Sequence, residues 1–460
     1  MTTQHQIELA QQLKVTIKRL GINGEGIGYY KKTIVFVPGA LPTESVTVEV
    51  TKVMPRFVES RLLTIHKAAS DRVTPPCPVY EECGGCQLQH LAYKSQLDFK
   101  KDVVKQAMTK YKPAGFEKYK FLPTIGMDKP WHYRNKLQFQ IRQNGETAKV
   151  EAGLYQADSH DLVAIKDCLV QQPATMTTLN KIVALLEKHN VPIYNEEKNS
   201  GIVKTVMIRV GIATGELQVV FITNSPKLPK KNPLIADIKT ELPDVVSIMQ
   251  NVQSKKTSLV MGDETIHLWG KESIEEQLED LVFDLSPRAF FQLNPEQTAI
   301  LYAEARKALN PQPQDRIVDA YCGVGTIGLS VAKQVKEVRG MDTIPAAIDD
   351  AISNARRLKI LNSNYEVGTA EELLPRWLES GFKPDGIVVD PPRTGLDGTL
   401  IDALLKYPSK KLVYVSCNPS TLARDLVELS KRYKVDYLQS VDMFPQTARA
   451  EVVAKLTLIR

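Results

Sequence analysis

The sequence predicts a multidomain protein. Its expected parts are an N-terminal OB-like β-barrel, a central α+β domain carrying a cysteine set, and a C-terminal α/β Rossmann-like domain. Three observations predict this. Short alternating strands punctuated by Gly and Pro crowd the first 68 residues. Cysteines then fall at 77, 83 and 86, with a fourth at 168. After residue 270 the texture becomes strand–helix alternation, the pattern of a doubly wound sheet. A chain of 460 residues is long enough for several domains. The boundaries expected are 1–68, 69–270 and 271–460.

Composition excludes several classes. Hydrophobic residues make up 43% and charged residues 24%, ordinary for a soluble globular protein. No stretch is long and apolar enough to span a bilayer, and Met1 to Gln6 contain no apolar leader, so a cytoplasmic location with no membrane partner is expected. The net charge of +6 is compatible with a polyanionic partner. Nothing indicates an obligate protein partner. Six clustered cysteines in so large a chain suit a metal or catalytic use better than a disulfide framework.

In chain order, Val15–Leu20 reads as a first strand and Gly21–Tyr29 as a glycine-punctuated segment. Thr33–Val37, Glu44–Val50 and Phe57–Ile65 read as further strands, with a turn at Pro38-Gly39. Barrels of this size often bind nucleic acid. The run from Lys18-Arg19-Leu20-Gly21 to Gly28, then Val37-Pro38-Gly39-Ala40-Leu41-Pro42-Thr43-Glu44, resembles the TRAM domain, an RNA-binding module.

Next comes Cys77-x5-Cys83-x2-Cys86, with Cys168 far downstream. Four thiolates on a glycine-containing loop can hold an iron–sulfur cluster or a tetrahedral zinc, and spacing alone leaves that choice open. The spacing differs from that of a radical-S-adenosylmethionine loop. His90 is a further conceivable ligand, though a structural histidine is the simpler expectation. Leu91–Tyr111 reads as an amphipathic helix with Leu91, Leu97, Val103, Val104 and Ala107 inward and lysines opposite; it is placed to pack on the last domain. Pro130–Lys136 interleaves aromatic and basic residues, which suits base stacking and phosphate contact or a half-buried strand start. Strands at 137–142 and 217–222 and a helix at 178–188 complete the middle region.

The last third carries the chemistry. Arg316–Ala320 leads into Tyr321-Cys322-Gly323-Val324-Gly325-Thr326, a strand, glycine-rich turn and helix start that let backbone approach a ligand. The next strand ends in Asp342, positioned to accept from ribose hydroxyls. Lack of a full G-x-G-x-x-G favours S-adenosylmethionine over a dinucleotide. Cys322 reads as a small packing residue. Gly386–Val389 delivers Asp390 to a stiff Pro391-Pro392 loop, and Leu412–Ser416 delivers Cys417 to a strand's carboxyl end just before Asn418-Pro419.

Together, Phe290-Phe291-Gln292-x-Asn294, Asp319-x-x-Cys322-Gly323-x-Gly325, Asp390-Pro391-Pro392-Arg393, Ser416-Cys417-Asn418-Pro419 and Asp442-Met443-Phe444-Pro445 resemble the RNA uracil-5-methyltransferase family. The order of barrel, cysteine set and catalytic part is similar to its iron–sulfur branch, which acts on 23S ribosomal RNA. The resemblance implies a 4Fe–4S cluster on Cys77, Cys83, Cys86 and Cys168, with zinc the less favoured occupant. It implies S-adenosylmethionine held by Gln292, Tyr321, Thr326, Asp342 and Asp390, with Cys417 as nucleophile and Glu451 as base. Two departures stand out. Gln446 and Arg449 occupy positions where the family has histidines, and Asp342 stands where it commonly has Glu.

The chemistry agrees with the resemblance. Uracil C5 needs a thiolate at C6 to become nucleophilic, and a base must then take the C5 proton. The base must also leave its stack, so an unstacked uridine in ribosomal RNA is the expected substrate, with transfer RNA the alternative. A 5-methylcytosine enzyme would carry a second functional cysteine, and an amino-group methyltransferase would need no thiol. A non-catalytic iron–sulfur RNA-binding factor would need neither Cys417 nor Glu451.

Overall fold

The computed structural model describes residues 7–157, 159–257 and 259–459. Five strands come first: β1 (Gln12–Leu20), β2 (Gly26–Tyr30), β3 (Thr33–Val37), β4 (Ser45–Val53) and β5 (Phe57–Lys67). They close into a barrel of order β1-β2-β3-β5-β4. Alternate residues point inward, so Leu13, Val15, Ile17, Val46, Val48 and Val50 fill its centre. The barrel's Gly24 is at φ +87°, and a Cβ there would lie 3.0 Å from Leu88 and 3.4 Å from Ala448. The barrel therefore touches both the cysteine segment and the C-terminal region.

Helix α1 (Tyr93–Tyr111) buries Gln96, Phe99, Lys100, Val103, Val104, Ala107 and Met108, a stripe at helical spacing. One of the helix's lysines is thus fully buried, and Leu97 only half so. Val104, Ala107 and Met108 join the core of the C-terminal sheet. The chain after the helix also runs along that sheet's edge, where Leu122 and Ile125 N–H donate to Leu438 and Ser440 carbonyls.

The middle region forms a seven-stranded sheet. Its strands are β6 (Lys136–Gln143), β7 (Val150–Tyr155), β8 (Leu162–Ala164), β9 (Val203–Val210), β10 (Leu217–Thr223), β11 (Val245–Val252) and β12 (Glu264–Gly270), in the order β12-β11-β10-β9-β6-β7-β8. Helices α2 (Pro173–Lys188) and α3 (Lys231–Glu241) cover the face bearing Leu137, Phe139 and Ile141. Pro173 occupies the first turn of α2, so that helix begins five residues before its apolar pattern predicts. Strands β13 (Ile274–Leu278) and β14 (Leu281–Leu285) then form a hairpin.

The C-terminal region alternates α4 (Pro295–Leu309), β15 (Arg316–Ala320), α5 (Thr326–Ala332), β16 (Glu337–Asp342), α6 (Pro345–Arg357), β17 (Ser363–Val367), α7 (Ala370–Glu379), β18 (Gly386–Val389), α8 (Gly398–Lys406), β19 (Lys411–Ser416), α9 (Pro419–Leu429), β20 (Tyr433–Val441) and β21 (Glu451–Leu458). The sheet order is β17-β16-β15-β18-β19-β21-β20, parallel except at β21. Strand order reverses between β15 and β18, and ligands bind at the carboxyl ends beside such a switch point. Among the described residues no helix is long and apolar enough to cross a membrane.

One buried network ties α1 to this sheet. Lys100 Nζ pairs with Asp442, both side chains 0% exposed, and also donates to the Phe444 carbonyl at 2.9 Å. Tyr93 Oη donates to the other Asp442 oxygen at 2.9 Å. Removing one partner leaves a buried charge, which costs about 3–5 kcal/mol. Lys100→Met should therefore lower the urea midpoint by a corresponding amount, and Lys100→Met/Asp442→Leu should recover much of the loss. An unchanged midpoint in the single variant would show that the pair contributes nothing.

Candidate active site

Cys417 leaves β19 directly before α9. Asn418 caps that helix by accepting from Ser420 N–H at 3.1 Å, and Pro419 sits in its first turn. The thiol thus lies at the positive end of a helix dipole, a setting that favours thiolate. Asn418 Nδ2 also donates to the Arg393 carbonyl at 2.9 Å, and Thr421 Oγ1 to the same oxygen at 3.3 Å. These bonds fasten the Asp390–Arg393 loop against the cysteine.

Burial pushes the Cys417 thiol up to about 12, helped by Glu451 and Asp390 and opposed by Arg393. Glu451 is 5% exposed and rises to about 8 through burial and the nearby Asp390, against Arg393, Arg449 and Lys100. Asp390 rises to about 7, again by burial first and then by Asp319. Asp390 and Glu451 are 61 positions apart in sequence, yet the sheet brings both beside Cys417. Two carboxyls poised near neutrality beside a protonated thiol can accept and return protons at physiological pH.

The segment between β20 and β21, residues 442–450, presents Glu451 and is held from several sides. The Gln446 N–H donates to Gln96 Oε1 at 3.0 Å, while Gln96 Nε2 donates to Gln446 Oε1 at 2.9 Å. The Gln446 carbonyl accepts from Gln87 and Leu88 N–H at 3.1 and 2.9 Å. Tyr133 Oη donates to the Pro445 carbonyl at 3.0 Å. Gln446, where a family histidine was expected, is thus a buried anchor, whereas Arg449 is exposed. Tyr133 is spent on this contact and is too buried to stack on a base. Of the Pro130–Lys136 aromatics, Trp131 stays half-buried against the Met127, Tyr133 and Val170 cluster.

The cofactor candidates gather around the turn after β15. Tyr321 is held at φ +65°, a costly conformation for a bulky side chain, and its hydroxyl donates to Glu371 at 2.9 Å. Asp342 accepts from the N–H of Gly323 and of Ile344, at 3.0 Å each, and so shapes the turn. Gly323 is open on its Cβ side, with nothing within 4 Å. Such an open, backbone-lined turn fits a nucleoside-bearing ligand. Gln292 is half-buried on the loop before α4. Thr326 faces inward instead, its hydroxyl donating to Tyr302 Oη at 3.3 Å. A cavity of about 540 Å³ opens beside Tyr321, Glu371 and Pro392; Cys417 does not line it. Cys322 is buried and packs against Gly340, as a small core residue would.

Cys77, Cys83, Cys86 and Cys168 line one further cavity, together with Arg134 and Gln89. Arg134 Nε and Gln89 Oε1 are buried there without partners. Burial raises the Cys86 thiol to about 12, with the other three cysteines as near neighbours. Among the described residues, no three donors are close enough to enclose a single metal ion. His90 is not part of this set: it is buried, and its Nδ1 meets Tyr80 Oη at 2.6 Å.

Sequence reasoning missed Lys100, Gln96, Tyr302 and the guanidiniums of Arg393 and Arg449. Charge and helical periodicity do not separate a buried lysine from its solvated neighbours on α1.

Comparison with known proteins followed the same division. Residues 92–458 match the family model described as tRNA (uracil-5-)-methyltransferase, and residues 8–63 match the TRAM domain. The chain is 68% identical to an uncharacterized RNA methyltransferase of Enterococcus faecalis, covering 99% of each. It is 59% identical to one of Lactiplantibacillus plantarum, over 98% of this chain and 93% of that one. Among solved structures, the Pyrococcus abyssi tRNA (uracil-54, C5)-methyltransferase in complex with S-adenosyl-L-homocysteine is 28% identical with a TM-score of 0.77, covering 97% of this chain and 100% of that one.

The raised carboxyl of Glu451 predicts a pH signature. In the folded state it keeps a proton that the unfolded chain loses above its ordinary value of 4.5. Its stabilising effect is complete below that value and is lost as pH rises toward about 8. Glu451→Gln titrates nothing in this window. Its melting temperature should therefore climb relative to wild type between pH 4.5 and about 8. A gap independent of pH would overturn the assignment.

Proposed function

The chain belongs to the tRNA (uracil-5-)-methyltransferase family and carries a TRAM domain, and on that premise we propose that it methylates C5 of an unstacked uridine in ribosomal RNA through a covalent Cys417–C6 adduct. The observation that carries this reading is the convergence of Asp390, Cys417 and Glu451 at the ends of the adjacent strands β18, β19 and β21, where both carboxyls act electrostatically on the thiol.

S-Adenosylmethionine, when bound, supplies a methyl group on a positively charged sulfur. Gln292, Tyr321, Asp342 and Asp390 are the residues we assign to holding it; Thr326 contributes to the turn from behind. Asp390 takes the thiol proton, leaving Glu451 as a carboxylate, and Cys417 sulfur bonds to uracil C6 while the C5–C6 π electrons move toward C5 and O4. C5 then bonds to the methyl carbon, and the carbon–sulfonium bond breaks. A carboxylate, assigned to Glu451, removes the C5 proton. The electrons left at C5 re-form the double bond and expel the cysteine thiolate, which takes back the proton from Asp390, while Glu451 gives the C5 proton to solvent. Asp390 is positioned to orient the uracil edge or share that proton.

A 4Fe–4S cluster on Cys77, Cys83, Cys86 and Cys168 is part of the same proposal. Four thiols line that cavity, with the Asp167 carboxylate beside them. Tetrahedral zinc, with Zn–S near 2.3 Å, would draw its sulfurs to within about 4 Å of one another. Spacing leaves both occupants open, and the resemblance to the iron–sulfur branch is what favours the cluster. Cysteine ligation of this kind is its ordinary chemistry.

Transfer RNA is the second reading, favoured by the likeness to the Pyrococcus abyssi enzyme, whose name specifies a tRNA uracil. Mapping labelled methyl groups on unmodified ribosomal and transfer RNA separates the two. For the mechanism, RNA containing 5-fluorouridine should form a denaturant-resistant adduct that Cys417→Ala abolishes; no adduct with an RNA that is otherwise methylated would refute it. For the cysteine set, an anaerobic preparation should be brown and contain iron and sulfide. A colourless protein with stoichiometric zinc would replace the cluster with the zinc reading.

A further inference from the structure

Two guanidiniums lie close enough to act on Cys417 and Glu451, yet neither makes an ion pair among the described residues. Arg393 follows Pro391-Pro392 at the end of β18, and its carbonyl is fastened to Asn418 and Thr421. Arg449 lies two residues before Glu451, and its N–H donates to Thr447 Oγ1 at 3.3 Å. Both side chains are exposed. Among the described residues, neither guanidinium has a carboxylate or hydrogen-bond partner. Elsewhere in the structure several arginines are paired: Arg61 with Glu49, Arg306 with Glu279, Arg357 with Glu275 and Asp284.

Arg393 and Arg449 also act on each other as well as on Cys417 and Glu451. Like charges held beside one another are unfavourable until an anion lies between them. A base extruded toward Cys417 turns about its own backbone, which brings its flanking phosphates near these two side chains. Guanidinium forks match phosphate oxygens two by two. An arginine at 449, unlike a histidine, stays charged throughout the physiological range.

We propose that Arg393 and Arg449 form a phosphodiester clamp at the mouth of the Cys417 site, gripping the RNA backbone beside the flipped uridine. The proposal rests on the RNA reading above and adds to it a defined anion subsite. Approach of the phosphate also withdraws cationic influence from Cys417 and Glu451, so the grip on RNA and the chemistry share the same two side chains.

The test measures binding of a single-stranded uridine dodecamer across a salt series, for wild type, Arg393→Gln, Arg449→Gln, the double variant and Arg449→Lys. At about 0.15 M salt each Gln variant should bind about fourfold more weakly, with the slope of log affinity against log salt reduced by about 0.7. The double variant should lose about twice that slope, and Arg449→Lys should keep it. S-Adenosylmethionine affinity should be unchanged, which also reports correct folding. Unchanged slopes in both Gln variants would overturn the clamp while leaving the methyltransferase reading intact. So would a loss of S-adenosylmethionine affinity with RNA binding intact, since the arginines would then hold the cofactor's carboxylate. Failure of the wild-type protein to bind the dodecamer at any salt would overturn the RNA reading and the clamp together.

Discussion

The architecture depends on the segment from Asp442 to Ala450, and above all on the buried Lys100–Asp442 pair that holds its first residue. Burial alone pulls the Lys100 ammonium down, and the Asp442 carboxylate opposes that pull. Such a pair is a poor source of net stability but a strong positional constraint, because either charge alone in that core is costly. The constraint passes along the chain. Phe444 is held by the same ammonium, Gln446 by the Gln96 amide and two backbone N–H groups, and Glu451 then opens β21. Gln446 is kept at φ +68°, and the bonds around it offset that strain.

This explains why parts distant in sequence meet at one place. Leu20 and Leu41 from the barrel, Leu88 and Leu91 beside the cysteine segment, Phe99 and Val103 from α1, and Ala448 form one small core. The cysteine segment is therefore joined to the Glu451 segment through backbone hydrogen bonds only a residue or two beyond Cys86. Whatever occupies the cysteine cavity sits against the support of the proposed base.

The site itself is electrostatically tense. Asp319, Asp390 and Glu451 each have carboxyls raised chiefly by burial, and Cys417 is raised with them. A crowd of would-be anions in low dielectric stays partly protonated until cationic charge arrives. The sulfonium of the cofactor is such a charge, and the arginines at the mouth form its counterpart toward the RNA. Proton placement in this site thus follows from what is bound.

The sequence by itself determined the strands and what they carry to their ends. Period-two alternation and Gly-Pro punctuation were enough for the barrel, and Cys417, Asp390 and Asp342 were legible because each ends or follows a buried parallel strand. The helix at 91–111 was legible as amphipathic, but not that Lys100 and Gln96 belong to its buried stripe. A lysine at a core position looks like any other lysine until its partner is known, and Asp442 lies 342 residues away. In the same way Gln446 and Arg449 read alike as departures from a histidine motif. Tertiary packing alone separated them, because one amide could find a buried partner on α1 while the guanidinium, too costly to bury unpaired, stayed exposed near Cys417.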